Sequence, residues 1–71
     1  GETGEASEID SVIELVTSKA YTSRTLAQTL RKRHPFRGMG KEAYQRARSR
    51  IDSMLTTGRL IVTTKGTLEA V

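Results

Sequence analysis

From Lys41 to Thr57 the chain carries apolar residues on a helical period, then stops at a glycine that opens into β-branched residues. Ala43, Tyr44, Ala47, Ile51, Met54 and Leu55 share one face at 100° per residue. Glu42, Gln45, Arg46, Ser49 and Ser53 lie opposite, and Arg48 and Arg50 flank the boundary on either side. Gly58 stands where a left-handed C-terminal cap is expected. Arg59 to Thr64 is short and β-branched, Lys65-Gly66 is a turn signal, and Thr67 to Val71 alternates weakly. Together these predict a basic helix feeding directly into a β-hairpin.

The N-terminal half reads as two further helices. Ser7 looks like an N-cap, with Asp10 three residues on. Ile9, Val12, Ile13 and Val16 follow at i, i+3, i+4 and i+7, which predicts a helix over about residues 8–19. Tyr21-Thr22-Ser23 breaks that period, and Thr22 or Ser23 can cap a second helix over about 23–33. Its apolar stripe is Leu26, Ala27 and Leu30, and Pro35 is expected to end it. His34 to Gly40 reads as a loop anchored by Phe36 and Met39. Residues 1–6 show no hydrophobic period and read as a linker end or cloning remnant, leaving one domain over 7–71.

A chain of 71 residues buries only about 60% of its unfolded surface, and this one has no cysteine with which to staple itself. The expected core is therefore purely apolar: Ile9, Val12, Ile13, Val16, Leu26, Leu30, Tyr44, Ala47, Ile51, Leu55, Leu60 and Val62. No apolar run approaches the roughly 18 residues of a membrane span, and no signal-peptide pattern appears. No membrane partner is expected, and an intracellular location, cytoplasmic or nuclear, is.

Charge is strongly segregated. Residues 1–18 carry Glu2, Glu5, Glu8, Asp10 and Glu14 and no base. The window 31–50 carries Arg31, Lys32, Arg33, Arg37, Lys41, Arg46, Arg48 and Arg50 against Glu42 alone. Such a block is a candidate electrostatic footprint for a polyanion.

Helix, helix, basic helix and hairpin resembles the winged-helix variant of the helix-turn-helix domain. The resemblance rests on Leu55-Thr-Thr-Gly58-Arg59-Leu60 running into the hairpin, and covers residues 7–71. The expected fold is thus mainly α with a small β-hairpin, a three-helix winged helix-turn-helix. The His34–Gly40 loop departs from the pattern, since 3–4 residues are usual between the motif helices. A second likeness is narrower. Leu26-Ala27, Lys41-Glu-Ala-Tyr44, Ile51-Asp-Ser-Met-Leu55 and Gly58-Arg59-Leu60-Ile61 resemble the C-terminal domain of RepA-like replicative ATPases of phages and plasmids. The ATPase motifs are absent, so that likeness implies a module of a larger replication or regulatory protein.

In a winged helix the third helix usually enters the major groove and the hairpin reaches the backbone or minor groove. The resemblance therefore implies Gln45, Arg46 and Ser49 as base readers, with Gln suited to adenine and Arg to guanine. It implies Lys41, Arg48 and Arg50 as phosphate contacts beside that face. Arg24, Gln28 and Arg31 lie on the outer face of helix 2, where backbone contacts are usual. Lys65 at the hairpin tip, with Thr63, Thr64 and Thr67, suits phosphate or minor groove. Double-stranded DNA is the expected partner, with single-stranded DNA and RNA left open.

The same arginines would also serve solubility, with Glu42–Arg46 as an ordinary helix pair. The rival function is protein docking or dimerisation through the acidic face of helix 1 or the Phe36–Met39 loop, since fold alone does not decide function. No enzyme and no cofactor is expected. His34 is the sole histidine, no carboxylate pair stands at metal-ligand spacing, and Ser49 and Ser53 have no locatable base. Gly38 and Gly40 lack the ending of a phosphate-binding loop.

Overall fold

A computed structural model describes the backbone of residues 2–71 and the side chains of residues 5–71. The chain is mainly helical with a two-stranded antiparallel hairpin. Its order is α1 (Glu2–Ser18), α2 (Ser23–Leu30), a 3-10 segment (Phe36–Glu42), α3 (Ala43–Thr56), β1 (Leu60–Val62) and β2 (Leu68–Ala70).

α1 begins at Glu2, so it runs through Ser7 and through most of the stretch expected to be a linker. Glu5 near the positive end of the helix dipole, together with Ala6, favours that extension. Its buried stripe is also rotated from the expected one. Glu8, Val12, Leu15 and Val16 are buried, while Ile9 and Ile13 pack only partly against the core.

α2 starts on a reciprocal cap. The Thr25 amide donates to the Thr22 hydroxyl at 3.2 Å, and the Thr22 amide donates to the Thr25 hydroxyl at 2.9 Å. The helix stops at Leu30, earlier than Pro35 alone would require. Tight turns follow, with Lys32 N–H donating to Thr29 O and Arg33 N–H to Leu30 O. They swing the chain back so that Phe36 enters the core with no solvent exposure. The expected His34–Gly40 loop is thus largely a 3-10 segment. Gly40, at φ 62°, makes the bend that releases α3 in a new direction.

α3 closes as the sequence predicts. Gly58 takes φ 81°, Arg59 N–H donates to Met54 O at 2.8 Å, and Gly58 N–H donates to Leu55 O at 3.3 Å. This pair of bonds is a Schellman cap, and it aims the chain into β1. The hairpin register pairs Leu60 with Ala70, Ile61 with Glu69 and Val62 with Leu68. A three-residue loop closes between Thr63 and Thr67, with Gly66 at φ 83°.

Tyr21 supplies a contact that the sequence did not suggest. Leu68 N–H donates to Tyr21 O at 2.7 Å, so β2 lies between β1 and the α1–α2 link. Leu60 and Leu68 point inward and join Leu26, Ala27, Leu30, Phe36, Ala43, Ala47, Ile51 and Met54 in one core. Tyr44 and Leu55 are only partly buried, and Val62, expected inside, is 56% exposed. β2 bridges to Tyr21 and β1 does not, so buried Leu68 is flanked on both sides while its cross-strand partner Val62 lies on the outer strand. No helix among the described residues is long and apolar enough to cross a membrane.

Candidate nucleic-acid interface

α3 presents its small apolar side to α2 and the core, through Ala43, Ala47, Ile51 and Met54. That packing fixes the outer side. Gln45, Arg46 and Ser49 line one open hollow of about 480 Å³ on this side, with Glu42 and Met39. The structure therefore brings the three expected base readers to one surface. Glu42 is an acid among them, and it makes no ion pair among the described residues.

The arginines of α3 divide into different roles. Arg50 is mostly withdrawn from solvent, with 12% of its side chain exposed. Its Nε donates to Glu8 Oε1 at 3.0 Å, and its Nη1 reaches Glu5 Oε1 at 3.5 Å. Its expected role as a phosphate contact is corrected accordingly, because the group joins α3 to α1 instead. Arg46 lies beside it and is half exposed. Its Nε donates to both oxygens of Glu8 at 3.3 Å, and its Nη2 donates to Oε2 at 3.2 Å. The Glu42–Arg46 pair expected from spacing is replaced by this longer-range one. Arg48 is part-buried, on the opposite flank from Arg46 and Arg50, and makes no ion pair among the described residues.

Glu8 is the residue that sequence reasoning missed. Its side chain is 4% exposed, and it receives hydrogen bonds from two arginines. The available signal was its spacing. Glu8 precedes Val12 by four residues and Leu15 by seven, on one helical stripe. A carboxylate placed there needs a buried cationic partner.

Acids of α1 thus neutralise a defined subset of the bases. Glu14 pairs with Arg33 in the same way. Arg24, Arg31, Lys41 and Lys65 are exposed and make no ion pair among the described residues, and Gln28 is exposed on α2 between Arg24 on the same helix and Arg31 at its C-cap. Lys32, Arg37 and Arg59, which had been given no role, share that state. The unneutralised cations therefore concentrate on α2 and the turns that follow it, more than on α3 itself.

At the hairpin tip, Lys65 and Thr64 are exposed. Thr63 and Thr67 face each other with hydroxyls 2.9 Å apart, and Thr63 also accepts from the Lys65 and Thr67 amides at 3.3 Å. These two threonines brace the loop, which leaves Lys65 and Thr64 as its outward groups.

Phe36, a proposed docking anchor, has no exposed surface, and Met39 is partly buried. The acidic face of α1 is likewise reduced, because Glu5, Glu8 and Glu14 are all paired with arginines. No group of three or more potential metal ligands occurs among the described residues. No protein-family model, curated protein or solved structure matches this chain.

Proposed function

We propose that this chain is a winged-helix DNA-binding domain, working as a module of a larger replication or regulatory protein. α3 lies in the major groove, and the hairpin tip meets the backbone. The observation that carries this reading is the convergence of Gln45, Arg46 and Ser49 on one hollow along the outer side of α3. Their chemistry suits base edges, with Gln for adenine and Arg for guanine.

Two features support it. The element order, with Tyr21 bridged to the hairpin between α1 and α2, is the order expected of a winged helix. The exposed cations Arg24, Arg31, Lys41 and Lys65, joined by Arg48, provide charge for phosphates on both sides of α3.

The test is an anisotropy titration of the domain against labelled duplex DNA, single-stranded DNA and RNA at two salt concentrations. The control is Arg46→Ala/Arg48→Ala, which leaves the Arg50–Glu8 pair in place. Salt-dependent duplex binding that the control loses supports the reading. Tighter binding to single strands or RNA redirects it, and salt-insensitive weak binding retained by the control refutes it in favour of protein docking.

A further inference from the structure

Glu8 approaches Arg46 from one side of the guanidinium only. An arginine side chain has two forks of donors. The side-on fork is Nε–H with the nearer Nη2 hydrogen, and the end-on fork is Nη1–H with the remaining Nη2 hydrogen. All of the bonds to Glu8 come from Nε and Nη2, so the carboxylate occupies the side-on fork. Nη1 has no partner among the described residues, and Arg46 lines the hollow beside Gln45 and Ser49.

The carboxylate cannot easily move. It is buried, and Arg50 holds its Oε1 from the other side. A long side chain that would otherwise sample many rotamers is therefore held at its base by a fixed acceptor. Holding it in advance lowers the entropy lost when its free fork meets a ligand.

We infer that Glu8 is a positioning residue that reserves the end-on fork of Arg46 for the O6/N7 edge of a guanine. This rests on the DNA-binding reading above. It adds a residue of α1, which does not itself line the hollow on α3, to the determinants of base preference. A phosphate offers two oxygens to the same fork, but phosphates line the groove walls, whereas Arg46 shares its hollow with two other groups suited to base edges.

The experiment selects duplexes from a pool randomised across the binding site. It then measures affinities for the selected duplex and for variants with each G·C pair replaced in turn. Wild-type protein should prefer guanine at one position by at least about tenfold. Glu8→Gln keeps the shape and removes the charge, and Arg46→Lys keeps the charge and removes the fork. Both should lose the preference at that one position, with other positions unchanged.

A uniform loss across all duplexes, with a salt slope smaller by about one, would mean a phosphate contact and would overturn the inference. Retention of the guanine preference by Glu8→Gln would overturn it too, as would a wild-type protein that binds duplex with no base preference. In both cases the DNA-binding reading survives. Absence of duplex binding by the wild type removes both.

Nitrogen-15 spectra of the Arg46 guanidinium in the wild-type domain provide a measurement that needs no variant. On addition of the selected duplex, Nη1 should shift and Nε should stay. A large shift of Nε would show that Arg46 leaves Glu8 to bind, which contradicts the proposed geometry.

Discussion

Arg50 Nε donates to Glu8 Oε1 at 3.0 Å, and both side chains are almost wholly withdrawn from solvent. The pair joins the N-terminal half of α1 to the middle of α3, positions 42 residues apart in the chain. Removing Arg50 leaves the buried Glu8 carboxylate with the half-exposed Arg46 as its one remaining arginine partner among the described residues, and a buried charge stripped of its buried partner costs more than the pair itself contributes. Arg50→Ala is expected to destabilise the domain by about 3 kcal/mol, and Arg46→Ala, half exposed, by about 1 kcal/mol or less. Urea unfolding of the two variants measures the difference. Equal losses would mean that Arg50 contributes no more than a surface arginine.

Phe36 sits at the turn between α2 and α3 with no exposed surface. Truncation to Ala should cost about 3–5 kcal/mol, a large share of the stability of a domain this small. Met39→Ala, in the same segment but only partly buried, should cost markedly less. A thermal melt of Phe36→Ala that matched the wild type would place Phe36 outside the core.

Gly58 adopts φ 81° in the Schellman cap of α3, and a Cβ added there would meet nothing within 4 Å. The penalty for Gly58→Ala is therefore purely conformational, about 1 kcal/mol. Gly38→Ala also has open space and no positive φ, so it should be neutral or slightly stabilising. Chemical denaturation of the two variants should separate them, and equal stabilities would argue against the left-handed cap.

Duplex binding should weaken with salt in proportion to the phosphates neutralised. With Arg50 tied to α1 and Arg46 assigned to a base in the proposed reading, five of the charged groups expected at the interface are left for phosphates: Arg24, Arg31, Lys41, Arg48 and Lys65. The expected slope of log K against log salt is about −4 to −5. Lys65→Ala should reduce its magnitude by about one while leaving base preference intact. A slope near zero would mean that these cations are solvated surface and nothing more.

Much of the architecture could be read from the chain. The long apolar period of α3, Gly58, the β-branched run and Lys65-Gly66 act locally, and each determines its own backbone. Thr22 likewise announces the start of α2. What escaped the sequence depends on contacts between distant segments. The Tyr21–Leu68 bridge joins positions 47 residues apart and rests on backbone groups that every residue possesses. The rotation of α1 was hidden for a different reason. Ile9, Ile13, Leu15 and Val16 spread apolar surface over a wide arc, so the period alone allowed several orientations. The ion pairs with Arg46 and Arg50 accompany the one adopted. The shared outer face of Gln45, Arg46 and Ser49 followed from helical geometry, whereas the pairing of Arg50 required knowing where α1 lies.

The attachment of β2 to Tyr21 has a mechanical consequence. A hairpin joined to the helices only through β1 would pivot at Gly58 like a flap on one hinge. Here the α1–α2 link provides a second anchorage, and the inward Leu60 and Leu68 clamp both strands to the helices. The span from the tip at Lys65 to the hollow on α3 is set when the chain folds, like the gap of a locked calliper.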